Sequence, residues 1–326
     1  MSHYYIPFAN SASEDWQLVA STFPDAPGCR VTLQAVEKAG SATRPNRRLW
    51  VDAGIDGLQH WPKTNPSFKA FIERFANYER IADAEFQRKP DGPKTMRFVT
   101  EVLNAAIRAV PNATWLSVPQ LPYMIGSDRN KINRLMAEAT LRWRSETRYR
   151  GRFILPVIFA KQPQTNTKTD RNPKVSLAID CFEASSANGI WVVDSTLNDQ
   201  SGVRNLEYER FPGIISFHEE LNKKLPADAA TVAGPYWGLS VVLWCRGLVR
   251  LVAVGPGRTY QYHVAGGMQK KGVRARFALP PLRRLVQWSP ALRKWLDDSI
   301  HALPRADAAQ VEFMDVLKSI GSLQTE

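Results

Sequence analysis

The sequence predicts an α/β protein, a single (β/α)8 barrel of the TIM type with extra C-terminal helices. Three observations predict it. Short runs rich in Val, Ile, Leu and aromatic residues recur along the chain, and amphipathic stretches of helical period separate most of them. A length of 326 residues is also ordinary for one such barrel. The strand runs fall at Tyr4–Phe8, Arg48–Asp52, Thr114–Val118, Phe153–Phe159, Ile190–Asp194, Ala229–Ala233, Val249–Val254 and Arg274–Leu279. Eight strands is the barrel number. The first connection is irregular, and a doubly wound open sheet is the structural alternative.

Helical periodicity places helices at Ser67–Ile81, Lys94–Val110, Asp128–Tyr149, Pro173–Asn188, Ile214–Lys224 and Trp237–Gly247. Asp128 follows Gly126-Ser127 and can cap the first of its helix's unpaired N–H groups. Pro173 suits a first helical turn, and Gly189 suits the exit from that helix into a strand. The polar stretch Lys161–Asn172 follows a strand, which places it on the face where barrels keep their active sites. Gly255–Gly267 reads as a second loop of that kind, rich in glycine. Ser289–Ser322 reads as two helices, so the barrel is expected over 1–288 and a helical extension packed on it over 289–326.

Composition narrows the class. Hydrophobic residues make up 44% and charged residues 23%, a globular balance that argues against a disordered chain. No apolar run approaches the ~20 residues of a membrane helix, and the first residues lack the pattern of a secretory signal. Cys29, Cys181 and Cys245 lie far apart, which fits free thiols in a reducing, cytoplasmic setting better than disulfides or a zinc cluster.

A net charge of +12 favours polyanionic partners, nucleic acid first among them. Two clusters concentrate that charge. Arg142, Arg144, Arg148, Arg150 and Arg152 interleave with Trp143 and Tyr149. Lys270, Lys271, Arg274, Arg276, Arg283 and Arg284 follow Tyr260, Tyr262 and His263. Guanidinium groups grip phosphates while neighbouring rings stack on bases, so both clusters are expected to bind nucleic acid.

Function in a barrel gathers at the C-terminal ends of strands. Asp52 in LWVDAGIDG, Asp194 in WVVDSTLND and the turn Gly255–Arg258 in VAVGPGRTY all end expected strands. The two aspartates are the candidate catalytic residues, although Asp also caps loops and helices at such places. Gly54 permits close backbone approach by a ligand, and Arg258 can meet a phosphate. Asp52, Asp56 and His60 share a four-residue spacing, but Gly54, Gly57 and Pro62 argue against the helix a metal site would need there. No metal and no cofactor is expected. Serine- and cysteine-nucleophile motifs are missing from the sequence.

The order of these pieces resembles the tRNA-guanine transglycosylases and their relatives that insert deazaguanine bases into DNA. LWVDAGIDG resembles that family's strand ending in Asp-Ser-Gly-Gly-Phe, which implies a base-pocket role for Asp52. SVPQLPY and the following helix with TLRWR look like the family's Pro-rich turn and its helix carrying Arg-Trp. FILPVIF would be the next strand, with Ala160-Lys161-Gln162 in place of a Gln-Gly-Gly loop, implying substrate contact by Gln162. GIWVVDSTL stands where the family has a strand ending in small residues beside the base. The stretch TVAGPYWGLSVVLWCRGLVRLVAVGPGRTY is similar to the family's run of strand, Gly turn, helix, Arg-Gly and strand, implying a substrate role for Gly234. The likeness spans about Trp50 to Gly267.

The departures are as informative. The family's nucleophilic aspartate should fall near Val252–Gly255, where the sequence has none, and the zinc cluster of three cysteines and a histidine is absent. The chemistry would need a carboxylate to accept a guanine edge, a second to attack the sugar carbon, and a group to handle the leaving base's proton. Tyr123 and Tyr236 are candidate rings for stacking on the base.

Three functions follow as expectations. The first is a transglycosylase-like enzyme that exchanges guanine or 7-deazaguanine in tRNA or DNA. The second is a catalytically degenerate barrel that binds nucleic acid or nucleotide, as one subunit of a multi-protein DNA-modification or phage-defence system. The third is an unrelated barrel hydrolase using Asp52 and Asp194.

Overall fold

The computed structural model describes residues 5–9, 29–39, 49–55, 58, 66–123, 130–159, 175–194, 206–235, 239–254, 276–279 and 284–287. Eight strands pair in chain order and close into a barrel. They are β1 (Tyr5–Ala9), β2 (Cys29–Thr32), β3 (Leu49–Asp52), β4 (Trp115–Ser117), β5 (Arg152–Phe159), β6 (Gly189–Asp194), β7 (Ala230–Ala233) and β8 (Leu251–Val254). Every pairing is parallel, and β1 meets β8 through Tyr5↔Val252, Ile6↔Ala253 and Pro7↔Val254 to complete the ring. Closure leaves no exposed sheet edge, so each strand's backbone groups are satisfied by two neighbours.

Helices cover the outside, as parallel crossovers require. In chain order they are α1 (Leu33–Ala39), α2 (Pro66–Ile72), α3 (Tyr78–Ala82), α4 (Ala84–Arg88), α5 (Gly92–Ala109), α6 (Lys131–Thr147), α7 (Val175–Ser185), α8 (Leu206–Lys224) and α9 (Leu239–Cys245). Outward strand residues such as Val51, Leu116, Phe153 and Val192 form one core with the buried helix residues Phe98, Val102, Ile132, Met136 and Phe217. Full burial of each such side chain contributes about 1.5–3 kcal/mol. Asp91 caps α5 by accepting from the Lys94 N–H at 2.9 Å, with Pro93 in the first turn. Gly189 opens β6 between two strands that leave no room for a side chain, since a Cβ there would stand 2.7 Å from the Ala230 carbonyl oxygen.

The barrel holds eight strands, but not the eight expected. Cys29–Thr32 is a barrel strand that sequence periodicity misses. The run expected at Arg274–Leu279 is instead β9 (Arg276–Leu279), paired antiparallel with β10 (Arg284–Gln287) in a separate hairpin. The chain divides into two compact units, Met1–Gly267 and Met268–Glu326, and the hairpin belongs to the second. The expected tail helices of 289–322 lie outside the described residues.

Helix limits differ in three places. The expected Ser67–Ile81 helix is two helices, because Asn77 takes the left-handed conformation at φ 65° and no α-helix continues through it. α6 stops at Thr147, where Arg148 takes φ 55° and its N–H turns back to the Arg144 carbonyl. α8 begins at Leu206, eight residues ahead of Ile214, and runs through Pro212-Gly213. Among the described residues no helix is long and apolar enough to cross a membrane.

Candidate functional site

Asp52 is the last residue of β3, at the end of the barrel where loops leave the strands toward the helices. Its side chain points into the barrel. The sequence places this carboxylate at an open mouth; in the structure the residue is 4% exposed, and its Oδ2 accepts a hydrogen bond from an Arg30 Nη atom in a buried ion pair. Register explains the pairing. Arg30 of β2 lies beside Trp50 of β3, and Thr32 lies beside Asp52, so all four share the barrel's inner face.

Arg30 is 1% exposed and lies over the indole of Trp191, with Cζ 4.8 Å from the ring centroid. Trp191 comes from β6, which is not a neighbour of β2 or β3, so this contact crosses the barrel interior. Trp50 meets Trp191 edge to face at 5.5 Å. Each indole is fixed at its polar edge. Trp50 Nε1 donates to Ser117 Oγ at 2.8 Å, and Trp191 Nε1 donates to the Gly234 carbonyl at 2.6 Å. A continuous platform therefore runs from β4 through β3 and β6 to the end of β7, with one buried charge pair against it.

Gly54, two residues past Asp52, takes φ +66°, a left-handed conformation that side chains resist. Gly234 takes φ +88°, and its carbonyl is already engaged by Trp191. Asp194 ends β6 in register with Phe159, so its backbone reaches the same end of the barrel as Asp52. The Asp194 side chain, Gln162, Tyr236, Arg258 and the Gly255–Arg258 turn lie outside the described residues.

Tyr123 lies in the core. Expected as a ring for stacking on a base, it is 3% exposed and its hydroxyl donates to Gln120 Oε1 at 3.0 Å. Burial pushes that phenol well above its ordinary range, with the neighbouring Cys181 thiol adding to the effect. The same burial raises Cys181 to about 11, which leaves it an inert thiol. The whole segment Val118–Tyr123 is buried and locked to α6. Asn133 accepts from the Leu121 N–H and donates to the Leu121 carbonyl, both at 2.9 Å, while Gln120 Nε2 donates to the Asn133 carbonyl.

The arginine cluster is also rearranged. Trp143 is 2% exposed and donates to Asn104 Oδ1 at 2.9 Å. Tyr149 is half-buried, its hydroxyl bound to the Ala113 carbonyl and its pKa raised to about 12 by burial. Neither ring is presented for base stacking. Arg142 pairs with Glu146 at 2.8 Å and Arg144 donates to the Ser186 carbonyl at 3.3 Å. Arg148 and Arg150 remain exposed in the connection from α6 to β5, as does Arg152 at the start of β5, which also lies 5.3 Å from the Trp115 ring. That connection enters a strand, so the cluster sits at the opposite end of the barrel from Asp52. Lys270, Lys271 and Arg274 lie outside the described residues, as do Asp56 and His60. Among the described residues no three His, Cys, Asp or Glu side chains gather as metal ligands.

Sequence reasoning misses Arg30 and Trp191. The available signal is an arginine two residues before Thr32 in a short β-branched run, which marks an inward strand position only once the run is read as a strand.

No family model matches the chain, and no curated protein matches it. Among solved structures it is similar to orotidine 5'-phosphate decarboxylase from Pyrococcus horikoshii OT3, with 11% identity over 77% of this chain and 88% of that one, at a TM-score of 0.35. The YdjI aldolase from Escherichia coli K12 aligns with 10% identity over 77% of this chain and 76% of that one, at a TM-score of 0.36. A 2,3-dimethylmalate lyase of the PEP mutase/isocitrate lyase superfamily aligns with 8% identity over 99% and 93%, at a TM-score of 0.39. The barrel itself rests on the strand pairing.

Proposed function

We propose that this chain is a transglycosylase-like barrel that binds a guanine-type base, carried by tRNA or DNA, at its strand-end mouth without exchanging it. The observation that carries this reading is the Arg30–Asp52 pair. A buried ion pair is seldom a net source of stability, because desolvating both charges offsets their attraction and apolar residues of like volume do as well or better. A charge pair set into an interior of Trp, Ile and Val at the functional end of a barrel therefore points to ligand recognition. The carboxylate oxygen that Arg30 does not hold is suited to accept an N–H on a guanine edge.

Loss of exchange is favoured by β8. Its sequence LVAV carries no carboxylate where a resemblance to the transglycosylases would require the nucleophile. Exchange is the second reading, favoured by Asp194 ending β6 at the same end of the barrel. In the first reading, the protein serves as the base-recognising subunit of a larger modification or defence assembly.

Titration calorimetry with guanine and 7-deazaguanine, alongside a labelled-base incorporation assay on tRNA and DNA, tests both. The expected result is saturable binding that Asp52→Asn weakens about tenfold or more, the value of a charge-assisted hydrogen bond, with no label incorporated by the wild type. Incorporation would transfer the case to the exchanging enzyme. Absence of any base binding would remove both readings.

A further inference from the structure

We propose that Arg30 is a positioning residue for Asp52: it fixes one carboxylate oxygen, so that the other is presented at the mouth to an N–H donor of a planar ligand. This inference rests on the base-binding reading for the ligand's chemistry, but the positioning stands on geometry alone.

Arg30 holds Asp52 through Oδ2, and among the described residues no hydrogen bond or ion pair engages Oδ1. The arrangement is one-sided. A bidentate fork would occupy both oxygens and leave a ligand nothing to bind. The guanidinium is itself confined, its face against Trp191 and its strand position between β1 and β3. Trp191 is confined in turn by the hydrogen bond to Gly234 and the edge contact with Trp50, which Ser117 holds. No member of this series can swing without breaking a satisfied contact, so the carboxylate direction is set before a ligand arrives. Such pre-organisation spares the ligand the cost of ordering the site. Two residues past the carboxylate, at Gly54, a Cβ would meet, among the described residues, only Thr32, at 3.6 Å. The ligand class this fits is a flat heterocycle with an exocyclic or ring N–H, one edge toward Oδ1.

The test uses the full chain with [13C]aspartate label, the Asp52 carboxyl resonance being assigned by its loss in Asp52→Asn. Arg30→Met keeps the volume and apolar stem but removes the donor, and Arg30→Lys returns a charged donor. The expected result is a shifted or broadened Asp52 resonance in Arg30→Met and recovery toward the wild-type signal in Arg30→Lys. In parallel, 7-deazaguanine affinity followed by tryptophan fluorescence should fall about tenfold in Arg30→Met, as for loss of a hydrogen bond to a charged group, and recover in Arg30→Lys. An Asp52 resonance unchanged in Arg30→Met would overturn the proposal, because a packing role alone leaves the carboxyl undisturbed. If the resonance moves and recovers while the wild type binds no base, the positioning holds and the base-binding function fails. Should Arg30→Met not fold, Arg30→Gln, which retains a neutral donor, replaces it: a moved Asp52 resonance supports the positioning and an unmoved one overturns it.

Discussion

His218 on α8 is fully buried, and among the described residues neither ring nitrogen has a hydrogen-bond partner. Burial alone pushes its pKa from 6.5 down to about 4. The unfolded chain therefore binds this proton between those values while the folded chain refuses it. Stability from His218 staying neutral is fully present above pH 6.5 and is lost as pH falls toward 4. The linkage amounts to about 2 kcal/mol between pH 7 and pH 5. Urea unfolding at the two pH values should show that loss in the wild type and its disappearance in His218→Leu. Neutral-pH stability of the Leu variant should be equal or higher, since an unsatisfied buried polar ring is replaced by an apolar side chain. An equal acid loss in both proteins would assign the effect to other groups. Residues of this kind are hard to read from sequence: a histidine in ISFHEEL looks like a solvated helix position until the partner strand is known. Asp52 is legible because it ends an apolar run before Ala-Gly. Its partner is not, since an arginine in a four-residue strand breaks the apolar pattern by which strands are recognised.

The connection from β4 to α6 behaves as one unit with that helix. Asn133 satisfies both backbone groups of Leu121, in a buried segment. Asn133→Ala orphans a buried N–H and a buried carbonyl together, and should cost about 3 kcal/mol by the usual penalty for such groups. Arg134→Ala, one residue along and exposed, removes only an i,i+4 pair with Glu138 and should cost about 0.5 kcal/mol or less. Urea midpoints of the two variants check the contrast, and comparable losses would mean that the lock is not what holds the segment. The same element shows the limits of periodicity. Asn133 and its neighbours on α6 are legible as helix, but SVPQLPY looks like a ligand-facing turn because proline and tyrosine suit either role. Long helices and apolar strands are legible since burial on one face imposes their period. Cys29–Thr32 is too short for a period, and Arg276–Leu279 has the composition of a barrel strand without its parallel partner.

At the scale of the molecule, the barrel separates two chemistries. Its strand ends hold the buried Arg30–Asp52 pair, and the other end holds the exposed arginines that lead into β5. Trp143 and Tyr149 are engaged in packing and hydrogen bonds, so the two rings interleaved with these arginines are not presented for base stacking. If this face meets nucleic acid, the expected contact is to phosphates, indifferent to sequence, and governed by counterion release. Arg148→Gln, Arg150→Gln and Arg152→Gln together remove three such contacts from a surface region with no buried role. The slope of log affinity against log salt for a mixed-sequence duplex should flatten by about 3, at roughly 0.9 per phosphate contact. Asp52→Asn should leave that slope unchanged, because a neutralised carboxylate at the far end releases no counterions from the duplex. A slope insensitive to the three glutamines would place the polyanion elsewhere on a chain of net charge +12. A triple variant that loses preference for one sequence over another, instead of affinity for all, would show base readout at this face and overturn the backbone-only account.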